Sequence, residues 1–217
     1  MMKIELTEAK PEHYKEYWQG QYDIFSHIEF VCGVPSVMFM ITTLKDNGKP
    51  NACFHTWSTF SGDKGGFFAI MAGLMQHTHT YRNILRDKEF CVNFLSAEYY
   101  DACMKTIAEN KEEIDELAAA GLTAEPSVLI KPPRIKEAFL CYECTFESAC
   151  DLSGAGVNAM VIGRVRRAAV EEQHGSIEAV CGDHSFMYNI HSPKDAKTGE
   201  GETSAVAKLQ VISLQEG

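Results

Sequence analysis

Between residues 35 and 71 three strand-like segments follow one another with only turns between them, and that succession restricts the folds open to this chain more than any other feature. Residues 35–44 are rich in Val, Met, Phe, Ile and Thr, a composition suited to a buried strand. Asp46-Asn47-Gly48-Lys49 supplies turn residues, and residues 51–60 resume a β-like pattern, so the pair reads as a hairpin. Gly65-Gly66 precedes a third strand at 67–71, and later strands are expected at 89–95, 135–147, 157–170 and 204–214. Helical spacing is confined to 11–19, with Pro11 early and Gly20 past its end, to 80–87, with Thr78 or Thr80 as N-cap, and to two stretches within 97–120 closed by Gly121. Strands and helices do not alternate regularly, which argues against a doubly wound parallel sheet. The expected fold is mainly β with inserted helices, a barrel formed as a single domain over residues 1–217.

Composition narrows the function. Twenty basic residues face thirty acidic ones, for a formal charge of −10, so nonspecific nucleic-acid binding is not expected. An anionic ligand would have to be held by local donors against the overall field. The longest apolar-rich segment, 34–44, is interrupted by Pro35, Ser36, Thr42 and Thr43, so no membrane helix is expected. The first ten residues are charged and lack an apolar stretch, which makes a cytoplasmic location the simplest expectation. Without an export signal the eight cysteines read as reduced thiols.

The chemistry-bearing region is 35–95. Thr56, Ser58 and Thr59 offer hydroxyls in a strand-to-loop setting, and His79-Thr80-Tyr81-Arg82-Asn83-Ile84 opens a short helix about twenty residues later. A phosphate needs convergent N–H and O–H donors, and a helix N-terminus supplies unsatisfied N–H groups with a favourable dipole. Arg82 and Arg86 add positive charge nearby. The same residues also fit plain strand hydroxyls and an ordinary helix cap.

Three motifs in order carry a resemblance: Pro35 to Leu44 with Gly48-Lys49-Pro50-Asn51-Ala52 and Thr56-Trp57-Ser58-Thr59-Phe60; then Thr80-Tyr81-Arg82-Asn83-Ile84 with Glu89-Phe90-Cys91-Val92-Asn93; then Val161-Ile162-Gly163-Arg164-Val165. Over about residues 30–170 the chain resembles the flavin reductase-like, FMN-binding split-barrel family, of Greek-key type and flavoredoxin-like. The resemblance implies a homodimer with FMN near the subunit interface. It implies that Asn51 and the backbone of Ala52, Cys53, Phe54 and His55 lie near the flavin ring. Thr56, Trp57, Ser58 and Thr59 would reach the ribityl chain and phosphate, with His79, Thr80 and Asn83 completing the phosphate pocket. It implies electron transfer from a reduced donor, NADH or NADPH being candidates, through FMN to a small-molecule or protein acceptor. Many relatives carry a His before the late strand where this chain has Val157-Asn158-Ala159-Met160, so the resemblance does not specify the donor. No catalytic acid or base is required, because the flavin carries the chemistry.

Two other readings stand beside this one. A flavoredoxin-type carrier would share the cofactor without being an enzyme. A cysteine-based metal site would use Cys141-Tyr142-Glu143-Cys144 with Cys150 and Cys181, but thiols at i and i+3 of a strand point to opposite faces, which favours core packing. His77 and His79 lack an obvious third ligand. His55 points either to the core or to the ring. The acidic run 109–116 reads as the solvated face of a helix.

Overall fold

Strand β1, Ser36–Leu44, is buried at six consecutive positions, and the sheet around it explains why. The computed structural model describes residues 2–108, 110–180, 186–201 and 204–208. These residues gather into two compact units: the described parts of Met1–Ser36 and Tyr188–Ala207 form one, and those of Val37–Met187 and Lys208–Gly217 the other.

In the larger unit β1 is followed by β2 (Pro50–His55), β3 (Ser58–Asp63), β4 (Gly66–Met75), β5 (Glu89–Phe94), the short pair β6 (Ala124–Glu125) and β7 (Arg134–Ile135), then β8 (Leu140–Asp151) and β9 (Asn158–Val170). Every pairing among them is antiparallel. The main sheet runs β1-β5-β8-β9-β4-β3, with β2 also paired to β1. The hairpin expected around Asp46–Lys49 is present, with Leu44 opposite Pro50 and Phe39 opposite His55.

Alternation along β1 sends Phe39 and Ile41 to one core, with Phe90, Val92, Phe94, Met71 and Val161, and Met38 and Met40 to another, with Leu95, Leu117, Leu122 and Ile135. The second core is covered by α4 (Tyr100–Thr106) and α5 (Glu116–Ala120). A strand packed on both faces needs no polar alternation. Each fully buried Phe or Ile contributes about 1.5–3 kcal/mol.

β2 and β3 lie at opposite ends of this strand order, yet only Thr56 and Trp57 separate them in sequence. Their ends therefore stand within about 10 Å of each other, and the sheet must curl into a half-barrel to allow it. The single strand expected over 51–60 is thus two strands and a corner. Trp57 turns that corner at φ +54°, a left-handed conformation that is rare for a bulky residue.

α3 (His79–Asp87) follows β4, with Thr78 as the cap. The expected opposite facing of Cys141 and Cys144 holds: Cys144 enters the core with Phe39, and Cys141 packs with Cys91 and Ile130. Cys181 lies outside the described residues.

The smaller unit holds α1 (Gln21–Ile24), α2 (His27–Cys32), most of β10 (Met187–Asn189) and most of β11 (Val206–Lys208). Of the strand expected at 204–214, β11 is seen; Ser204 and Ala205 are not in it, and 209–214 lie outside the described residues. The helix expected at 11–19 does not form; only a turn is present, Tyr14 N donating to the Pro11 carbonyl at 3.0 Å. Side chains take the N–H groups a helix would need: Tyr17 N donates to Gln21 Oε1 at 2.9 Å and Gly20 N to Glu16 Oε2 at 3.0 Å. Tyr14 is buried and donates its hydroxyl to the Ala196 carbonyl at 2.7 Å.

Candidate functional site

The alternation of β2 divides the first group of candidate residues. Ala52 and Phe54 face the core beneath α4 and α5, while Cys53 packs on the other core and His55 meets the Phe39 ring edge-on. Asn51 lies on the Cys53 face and is buried. Its Nδ2 donates to Thr80 Oγ1 at 2.9 Å across 29 residues of sequence. The Thr80 hydroxyl in turn hydrogen-bonds the Cys53 thiol; burial still dominates and pushes that thiol up to about 11. Asn83, one turn along α3, donates its Nδ2 to Thr43 Oγ1 at 3.0 Å. The start of α3 is therefore tied to β1 and β2 through side-chain amides and hydroxyls.

At that helix start Thr78 Oγ1 accepts from Tyr81 N at 3.4 Å. The N–H groups of His79 and Thr80 have no acceptor among the described residues, as expected in a first turn. His79 Nδ1 is buried with no partner, and its Nε2 lies 3.6 Å from Glu112 Oε2. Arg82 makes no ion pair among the described residues, whereas Arg86 is engaged by Asp46 and Asp87. Unsatisfied N–H groups, an orphaned ring nitrogen and an unpaired guanidinium at one helix start suit a phosphate; the Glu112 carboxylate opposes it.

Thr56, Trp57, Ser58 and Thr59 stand at the other end of β2, at the corner. Thr56 is buried, Ser58 half-buried and Thr59 exposed. Ser58 Oγ donates to the Thr56 carbonyl at 3.0 Å, and Ala72 N donates to the Trp57 carbonyl at 2.9 Å. The Trp57 ring lies against Gly73, which adopts the left-handed φ of +69°. The structure thus brings Asn51, Cys53, Thr80 and His79 into one cluster and builds the corner residues into a second.

The flavin reductase like domain model matches residues 31–187. This chain belongs to that family. Its fold is similar to that of nitrilotriacetate monooxygenase component B from Bacillus cereus, with a TM-score of 0.73 at 19% identity, covering 97% of this chain and 100% of that one. It is likewise similar to the flavoredoxin of Desulfovibrio vulgaris (Miyazaki F), TM-score 0.61 at 17% identity over 84% and 91% of the two chains. An FMN-binding protein from Thermus thermophilus with bound 1-cyclohex-2-enone gives 0.66 at 13% identity over the full length of both. At these identities the likeness shows the split-barrel fold. In sequence the chain is 45% identical over 65 residues to a protein of Aquifex aeolicus, a match spanning 30% of this chain and 33% of that relative's length. Among the described residues no helix is long and apolar enough to cross a membrane.

For a flavin reductase like chain, the residues missed in the sequence are Thr43, which orients Asn83, and Glu112. The acidic run gives no helix over 110–115. Lys45 Nζ donates to the carbonyls of Lys111 at 2.6 Å and Ile114 at 2.8 Å, and Glu116 is buried against Lys45 at 2.8 Å. Nothing local in the sequence signals these partners. A separate cavity of about 340 Å³ is lined by Glu98, Glu137 and Glu171 with Tyr99, Phe139 and His174. Burial, and then those three carboxylates, push the Tyr99 phenol up; Lys136 also lines the cavity.

His55 provides a pH test. Its Nε2 is 2.9 Å from the Ala72 carbonyl, and burial lowers its pKa from 6.5 to about 4. A depressed histidine leaves folding stability complete above the unfolded pKa and removes it as pH falls toward 4. The loss reaches about 3 kcal/mol. Urea unfolding at pH 7 and pH 4.5 should show a larger drop for the wild type than for His55→Gln; equal drops in both proteins would remove His55 as the cause.

Proposed function

We propose that this chain binds FMN at the cluster of Asn51, Cys53, His79 and Thr80, with the corner residues Thr56 to Thr59 along the flavin tail, and moves electrons through it from a reduced donor to a small acceptor. The observation that supports this reading most is the Asn51–Thr80 hydrogen bond, which joins the two segments the family resemblance assigns to one cofactor. Bound flavin would supply the hydride and electron chemistry. The protein's part is to hold the tail with the α3 N–H groups, Thr80 and Arg82, and to keep Asn51 and the β2 backbone beside the ring. NADH and NADPH are the candidate donors, a homodimer is the proposed assembly, and a cytoplasmic location belongs to the same reading.

Purified protein incubated with FMN and desalted should retain flavin absorbance. Ser58→Ala with Thr80→Ala should weaken FMN binding by about 1–3 kcal/mol, from donors lost to a charged acceptor. A wild-type protein that stays colourless would overturn the cofactor reading, and undiminished affinity in the double variant would overturn the residue assignment. The flavoredoxin likeness supports a second reading, a carrier that passes electrons between proteins. Anaerobic mixing with NADH and with NADPH separates the two: bleaching of the flavin marks the reductase, and no bleaching with either donor marks the carrier.

A further inference from the structure

The hairpin turn between β1 and β2 grips the segment before α5 through four consecutive carbonyls. Lys45 Nζ donates to Lys111 O and Ile114 O, Asn47 Nδ2 to Glu112 O at 2.6 Å, and Lys49 Nζ to Glu113 O. Glu116, at the start of α5, anchors the same segment by accepting from Ala52 N at 2.6 Å and pairing with Lys45. These bonds fix the backbone from 111 to 114 and so set where the half-exposed Glu112 side chain starts. It delivers the Glu112 carboxylate to the first residue of α3, with Oε2 3.6 Å from His79 Nε2. That separation exceeds the roughly 2.7–3.2 Å of a hydrogen bond, and Glu112 Oε1 is buried without a partner. The carboxylate therefore stands close to the helix start without a close bond to stabilise it.

We propose that Glu112 is a built-in competitor for the anion position at the N-terminus of α3, and that it sets how strongly this site prefers a phosphate-bearing flavin over riboflavin. The inference rests on the flavin reading above. A negative group beside the His79 ring draws on the same dipole and imidazole that a phosphoester would use, and it repels a second anion. Riboflavin lacks the phosphate and does not feel that repulsion.

The test is the dissociation constant of FMN and of riboflavin, read by quenching of flavin fluorescence, for wild type, Glu112→Gln and Glu112→Ala. Both variants should bind FMN tighter, by about tenfold for a carboxylate a few ångströms from a phosphate, with riboflavin unchanged. FMN affinity that is unchanged or weaker in both variants overturns the proposal while leaving the flavin site intact. Equal tightening of both flavins also overturns it, since that would be a packing effect. If neither flavin binds any of the three proteins, the flavin reading falls and this inference with it.

Discussion

Glu143→Ala is expected to lower folding stability by about 3–5 kcal/mol, the range for removing one partner of a buried ion pair. The Glu143 side chain is 1% exposed and accepts from Val128 N at 2.9 Å, Leu129 N at 2.7 Å, Arg134 Nε at 2.8 Å and Arg134 Nη2. Alanine would leave two backbone N–H groups without an acceptor and a nearly buried guanidinium with only the Glu125 carboxylate, at 3.9 Å. Burial pushes the Glu143 carboxyl up, but the Val128 and Leu129 amides and the Arg134 guanidinium together hold it below the usual range. The depressed carboxylate contributes its stability above the unfolded pKa and loses it as the pH falls. Urea unfolding at pH 7 measures the cost. A loss under about 1 kcal/mol, typical of an exposed pair, would show that Glu143 does not bear this load.

Gly163→Ala is expected to cost about 3 kcal/mol, at the upper end of the usual range for overpacking a core. A Cβ at position 163 would stand 2.2 Å from Phe90 Cζ and 2.7 Å from Cε1. Phe90 is fully buried at the centre of the main core, so its ring has nowhere to retreat. The double variant Gly163→Ala/Phe90→Leu should recover part of the loss, because the shorter side chain vacates the collision. Equal unfolding midpoints for wild type and Gly163→Ala would refute the contact. The prediction also gives a physical reason for the glycine in Val161-Ile162-Gly163-Arg164-Val165: it is the floor on which the Phe90 ring sits.

Local signals were read best where the physics is local. The β1–β2 turn follows from Asp46-Asn47-Gly48-Lys49, the start of α3 from Thr78, and the end of α5 from Gly121, with φ +79° at its C-cap. The helix expected at 11–19 does not form because the Gln21 side chain accepts from Tyr17 N and the Glu16 side chain from Gly20 N, a competition invisible to apolar spacing. The sharp corner at Trp57 is not signalled locally, because Thr56-Trp57-Ser58 has no glycine or proline to mark it. The acidic run looked solvated because charge patterning carries no information about Lys45 and Lys49, which sit more than sixty residues earlier.

By itself the amino-acid order determined a mainly β chain, the turn that pairs β1 with β2, and the family, since each rests on neighbouring residues or on motifs in series. Only the tertiary structure decided that Asn51 meets Thr80 while Ser58 turns to Thr56, and that Glu112 stands beside His79. Those neighbours are chosen by the curl that lets two residues join the end strands of the sheet and by the clamp on residues 111–114. Both are properties of the whole packed sheet, and propensities acting over a few residues cannot specify them.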